Sequence, residues 1–268
     1  MTFRDRDDEM GDDERFARST ALLGEAAMAR LRAAHALVVG VGGVGSWCAE
    51  ALVRTGIGRI TLMDDDVVAA SNVNRQCPAT EKTLGRPKVE AMAERLREIN
   101  PVCEIVGMKN RYPLSFVGDL AAEQPINGSA DQVRHLSNFD LVVDAIDSVG
   151  CKAELILAAT EAGVPLVSSM GAALRLDPTK VRVTHFENVE GDGLARALRQ
   201  RFKRLGRFPA AKFACVWSAE AARGNQSINQ SNNRTIPKGS LMPVTATFGM
   251  CLASEAIGIL IQTKGETR

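Results

Sequence analysis

A glycine-rich turn set between two short apolar strands limits what this chain can fold into more than any other feature. The segment reads as a strand over 35–39, the turn Gly40-Val-Gly-Gly-Val-Gly45, a helix over 44–54 and a second strand over 59–63 that stops at Asp64-Asp65-Asp66. Gly40, Gly42, Gly43 and Gly45 let the chain tighten, let its backbone approach a phosphate and let the helix close onto the strand, while the helix N-terminus offers unpaired N–H groups to negative charge. Asp64 lies 19 positions after Gly45, where a carboxylate at the end of a second strand accepts hydrogen bonds from ribose hydroxyls. Val44, Trp47, Cys48, Ala51 and Leu52 recur at i, i+3, i+4, i+7 and i+8, a single apolar stripe. This is half of a nucleotide-binding fold.

The rest of the chain continues the alternation. A helical pattern over 15–33, broken at Gly24, precedes the turn, and residues 1–14 read as a disordered acidic tail. After the second strand comes a polar loop over 69–78, then Gly85-Arg-Pro-Lys88 opening a helix with Val89, Met92, Leu96 and Ile99 on its buried face. Strands follow over 102–106, 139–143 and 164–168, with a partly helical stretch over 113–124, a loop over 125–130 and a helix near 151–162. Such alternation predicts an α/β, Rossmann-like, doubly wound and mainly parallel sheet whose ligand lies at the C-terminal strand ends. From residue 172 the pattern changes to a C-terminal elaboration: a hairpin of 174–176 with 181–184, a basic helix over 193–205 and a mobile polar loop over 222–240. We expect one domain over 15–268.

Charge and cysteine usage narrow the class. Seven acids fall between Asp5 and Glu14, whereas residues 193–212 hold seven Lys or Arg and no acid, although the net charge is only +1. Six cysteines form no CxxC pair and no disulfide framework, and the N-terminal residues form no apolar leader, which points to a reducing, cytoplasmic setting and no zinc knuckle. Residues 241–262 are long and apolar enough to raise membrane association. Glu255 within them favours a buried or dimer-interface helix instead.

The chemistry goes beyond dinucleotide binding. Arg75 and Lys88 fall on loops leaving the same sheet edge, where two cations suit a triphosphate whose charge must be neutralised before a nucleophile nears its α-phosphorus. Asp147, at the end of a buried strand, is placed to hold magnesium beside those phosphates. These residues point to ATP with Mg. The order GVGGVG, LMDDDVV, SNVNRQ, GRPK and DAIDS resembles the ThiF/MoeB family, the adenylating relatives of ubiquitin-activating enzymes, over residues 15–185. That resemblance implies that Asp64 binds ribose, with Asp66 beside it in the same acidic run. It gives Asn72, Arg75, Gln76 and Lys88 the phosphates, Asp147 the magnesium, and Arg18 a reach into the partner's active site across a homodimer. The implied reaction is attack of a carboxylate on the α-phosphate, giving an acyl-adenylate and pyrophosphate.

Within the family, Val53-Arg-Thr-Gly-Ile-Gly58, DAIDSV, CVWSAE and VTATFG resemble the branch that dehydrates threonylcarbamoyladenosine in tRNA. By that likeness the threonyl carboxylate is adenylated, the tethered carbamoyl group attacks it and AMP leaves, with no enzyme nucleophile required. A tRNA substrate calls for a basic footprint, for which Arg196, Arg199, Arg201, Lys203, Arg204, Arg207 and Lys212 are candidates, with Phe202 and Phe208 available to stack on a base; a solvated helix face explains the same letters. The rival reading is an adenylyltransferase acting on the C-terminal glycine of a ubiquitin-like sulfur carrier, and a sulfur-transfer protein partner stays open. The missing CxxC pairs count against that rival. A weaker third reading is a non-catalytic nucleotide-binding subunit. With no cysteine in the 222–240 loop, any thioester step falls to Cys215 or Cys77.

Overall fold

A computed structural model describes residues 7–112, 136–224 and 238–262. The expectations for 113–130 and for most of the 222–240 loop lie outside the described residues. Seven strands form one sheet: β1 (His35–Val39), β2 (Arg59–Met63), β3 (Glu104–Met108), β4 (Leu141–Asp144), β5 (Leu166–Ser169), β6 (Val181–His185) and β7 (Ala214–Ser218). Their order is β3-β2-β1-β4-β5-β7-β6, parallel throughout except for the antiparallel β6–β7 pair. The winding direction reverses between β1 and β4, which opens the crevice where such sheets bind ligands.

The described helices are α1 (Asp7–Leu23), α2 (Glu25–Ala33), α3 (Gly45–Thr55), α4 (Lys88–Ile99), α5 (Val149–Glu161), α6 (Gly193–Leu205) and α7 (Met242–Leu260). β1 shows why both sheet faces are covered: Ala36 and Val38 point into one apolar cluster with Cys48, Leu52, Met92 and Phe248, while Leu37 and Val39 point into another with Ile156, Leu157, Leu198 and Phe202. A strand buried on both sides reads as an unbroken apolar run rather than an alternating one.

Several expectations shift. α1 takes in residues 7–14, which the sequence reads as tail. β3 starts two residues later than expected, because Pro101 leads into a turn before Glu104. The hairpin of 174–176 with 181–184 does not form: residues 174–176 are not a strand, and β6 pairs instead with β7, from Val181 opposite Ser218 to His185 opposite Ala214. The local Asp-Pro turn signal was real, since Asp177 caps the short helical turn Pro178–Lys180, but the antiparallel partner comes from 30 residues downstream. α7 is long and apolar enough to cross a membrane by composition, yet it packs along α3 and against β5 and β7, with Phe248, Leu252 and Ala256 fully buried. The close approach is set by Gly249, where a Cβ would stand 2.6 Å from Val44 O.

Candidate active site

The glycine loop is the hub of the site. A Cβ at Gly45 would lie 1.9 Å from Gly40 O, and Gly40 itself has φ +92° with the carbonyl of Ala145 against it, so neither position accepts a side chain. Around this loop the fold assembles groups from four other segments. Asp64, at the end of β2, accepts the Val41 N–H at 2.7 Å and the Asp66 N–H at 2.9 Å. Burial pushes its carboxyl above the ordinary range, and nearby Lys88 with the two N–H groups pulls it back. Arg75 lies over Gly43, with its Cγ 3.2 Å from where a Cβ would sit, and Gln76 Nε2 is 3.8 Å from the same point on Gly42. Gln76 is buried and its Oε1 has no hydrogen-bond partner, which leaves an orphaned polar group for a ligand to satisfy.

Lys88 is not on a loop but is the first residue of α4, because Pro87 before it fixes the backbone entering the helix. It is buried, with Nζ 2.6 Å from Asp66 Oδ2 and 3.9 Å from Asp64 Oδ1. Asp66 thus serves here as the partner of Lys88. The Oδ1 of Asn72 accepts the Ala69 N–H at 3.0 Å and closes a short helical turn over Ala70–Asn72. The Nη1 of Arg75 donates to Ser71 O at 2.8 Å and to Asn74 Oδ1 at 2.9 Å. Asp147 is exposed on the turn after β4, and among the described residues its carboxylate has no hydrogen-bond or ion-pair partner. A lone solvated carboxylate on the same sheet edge as Arg75 and Lys88 has the donor chemistry that suits a magnesium ion, which takes one or two carboxylates together with substrate phosphates.

Four buried charges nearby, in two pairs, carry no signal in the motif spacing. Asp144 and Lys152 form a fully buried pair at 2.8 Å, with Ser168 Oγ donating to Asp144 at 2.7 Å and Lys152 Nζ donating to Ile146 O at 3.0 Å. Arg175 and Asp192 form another at 3.2 Å, and Asp192 also caps α6. A lysine within the otherwise apolar helix pattern after DAIDS was the available signal for the first. Leu174, beside Arg175, has φ 64° and bonds Gly239 O and the Arg223 N–H. α7 is the other addition: Thr245 near its N-terminus comes within 3.4 Å of the Gly43 Cβ position.

Arg18 is not at this site. Phe16, two residues earlier, packs at Gly56 beyond the C-terminal end of α3, and α3 separates that end from the glycine loop by about 16 Å at 1.5 Å per residue. The basic helix is split by its packing. The Nη2 of Arg199 donates to Phe186 O and Val189 O at 2.8 and 2.7 Å, and its guanidinium lies over the Phe186 ring. Arg207 pairs with Glu161 and Glu154, and Lys212 with Glu187. Arg201 is half-buried, with an unpartnered Nε. Phe202 is buried against Phe186 and is unavailable for base stacking, because it falls on the apolar stripe with Ala195 and Leu198. Arg196, Lys203 and Arg204 are exposed and paired with no acid among the described residues, and Phe208, just after the helix, is 61% exposed.

Neither candidate thiol is set up as a nucleophile. Cys215 is fully buried and burial raises its pKa; Cys77 is pushed up to about 12 by burial and by the adjacent Glu50 carboxylate.

The tRNA threonylcarbamoyladenosine dehydratase of Escherichia coli (strain K12) is 38% identical over an alignment of 264 positions that covers 91% of this chain and 92% of that protein. Structures of the E. coli tRNA N6-threonylcarbamoyladenosine dehydratase in complex with AMP and with ATP match at TM-scores of 0.78 and 0.76, each 38% identical and covering 92% of this chain and 94% of that one. The molybdopterin-synthase adenylyltransferase of E. coli (strain K12) is 33% identical over 172 residues, 64% of this chain and 61% of that protein. The ThiF family profile matches residues 16–268, and on that match, with the glycine loop and its converging side chains, the chain belongs to the ThiF family.

Proposed function

We propose that this chain is an ATP-dependent dehydratase that adenylates the threonyl carboxylate of threonylcarbamoyladenosine in tRNA and closes it into a ring with release of AMP. The observation that carries the reading is likeness to the E. coli dehydratase along 91% of the chain, C-terminal elaboration included. Likeness to the molybdopterin-synthase adenylyltransferase covers 64% of the chain, and the six cysteines form no CxxC pair.

The residues divide the work as their positions suggest. Asp64 takes the ribose hydroxyls, and the N–H groups at the start of α3 meet the phosphates. Arg75, Gln76 and Lys88, with Asn72 shaping their loop, neutralise and orient the triphosphate; Lys88 exchanges its Asp66 partner for phosphate oxygens. A substrate carboxylate oxygen then bonds to the α-phosphorus as the bond to pyrophosphate breaks. The carbamoyl group attacks the activated carbonyl, the bond to AMP breaks, and water is lost overall. Because the attacking group is already tethered, the protein's task is positioning and charge stabilisation. Magnesium, held by Asp147, would supply charge neutralisation at the phosphates.

Two partners belong to the same reading. A homodimer would let the Arg18 side chain of one copy reach the site of the other, which its own copy places about a helix length away. The exposed face of Arg196, Lys203, Arg204 and Phe208 gives tRNA phosphates and a base something to meet. The test is to incubate the protein with ATP, magnesium and threonylcarbamoylated tRNA and to analyse the nucleosides by mass. A nucleoside lighter by one water, formed with one AMP each, supports dehydration. Pyrophosphate exchange that depends on a carrier protein instead would replace it with the rival.

A further inference from the structure

The segment that carries Arg75 and Gln76 has no regular secondary structure, yet both side chains must stand at fixed places over the glycine loop. Three side chains of α3 hold it. Trp47 Nε1 donates to Arg75 O at 2.9 Å, Ser46 Oγ accepts the Cys77 N–H at 3.1 Å, and Glu50 Oε2 accepts the Cys77 S–H at 2.8 Å. Ser46 is itself fixed, since its hydroxyl donates to Gly42 O at 2.6 Å. Glu50 cannot turn away either: Arg95 of α4 donates to both its oxygens, at 2.6 and 3.2 Å, and Arg54 donates to Oε1 at 2.8 Å. Ser46, Trp47 and Glu50 sit at i, i+1 and i+4, so they form one patch on the helix that opens at the phosphate loop.

The chain of contacts has a consequence for geometry. Arg95 lies seven residues, about two turns, beyond Lys88 on α4. The Arg95–Glu50–Cys77 connection therefore ties the helix that presents Lys88, the helix that presents the glycine loop and the segment that presents Arg75 into one unit. We infer that Ser46, Trp47, Glu50 and Cys77 are positioning residues, which hold Arg75 and Gln76 in register over the glycine loop and thereby set the affinity for the triphosphate. This rests on the adenylating reading proposed above.

The experiment uses the full chain with MgATP as the probe, read by calorimetry, so that it needs no tRNA. Trp47→Phe keeps the ring and removes the donor; loss of one net hydrogen bond at about 1 kcal/mol predicts roughly a fivefold weaker Kd. Cys77→Ala weakens binding similarly, and Cys77→Ser, which restores a donor toward Glu50, recovers to within about twofold of wild type. The deciding measurement is Trp47→Phe in an Arg75→Ala background, where its effect shrinks below about twofold if it acts through Arg75. An equal loss in both backgrounds, or wild-type affinity for Trp47→Phe alone, overturns the inference. Should the wild-type protein bind MgATP but yield no dehydrated nucleoside, the dehydratase reading fails while this binding series still decides the positioning roles.

Discussion

Replacing Lys152 with methionine removes the cation from a carboxylate that has no access to water. Both side chains of the Asp144–Lys152 pair are 0% exposed, and their charged atoms are 2.8 Å apart. Removing one member of a buried pair costs about 3–5 kcal/mol, mostly because the other charge stays buried and uncompensated. Asp144 keeps two donors, Ser168 Oγ and the Ile146 N–H, so the low end of that range, about 3 kcal/mol, is the expectation. At roughly 2–4 °C per kcal/mol for a chain of this size, the Tm falls by roughly 10 °C. Thermal and urea melts of the purified variant measure it. The double variant Asp144→Leu with Lys152→Met removes both charges and returns to within about 1–2 kcal/mol of wild type. Its ATP-dependent activity stays low all the same, because Ile146 O has lost the donor that fixed the turn leading to Asp147. A single variant that melts within about 2 °C of wild type, or a double variant no more stable than the single, would refute this account of the buried pair.

Three more outcomes follow from named contacts. Gly45→Ala places a methyl 1.9 Å from Gly40 O, so the loop must open; MgATP binding by calorimetry falls at least tenfold, and an unchanged affinity would show that the loop tolerates a different path. His35 is held neutral, its pKa lowered to about 4 by burial and by the Arg59 charge against the opposing pull of Asp140. Because the folded form takes up a proton less readily than the unfolded chain, its contribution is fully present above pH 6.5 and is lost as pH falls from 6.5 toward 4; His35→Gln flattens the stability curve in that window, and an identical slope in urea melts at stepped pH values counts against it. Neutralising Arg196, Lys203 and Arg204 together lowers the salt slope of tRNA binding in filter assays and leaves MgATP affinity alone, whereas an unchanged slope removes this face from the tRNA interface.

Those three residues also mark the boundary between what local pattern could and could not say. On the letters alone, seven basic residues of the 193–212 stretch are equivalent. Packing separates them: Arg199 is spent on the carbonyls of Phe186 and Val189, and Arg207 on Glu161. The same holds for β7, whose residues read only as an apolar run until β5 and β6 flank it.

By itself the sequence determined the glycine loop and its flanking strands, Asp64 at the end of β2, the alternation that builds a parallel sheet, and the ordered motifs of the family. These are encoded over short spans, where backbone permissiveness and apolar periodicity act between residues a few positions apart. Only the tertiary structure decided that Lys88 faces Asp66, that Asp144 is the buried acid and Asp147 the exposed one, and that Glu50 and Cys77 anchor the Arg75 segment. Each of those outcomes depends on which side chains become desolvated together. Desolvation is fixed by elements far apart in the chain, so no local pattern records it.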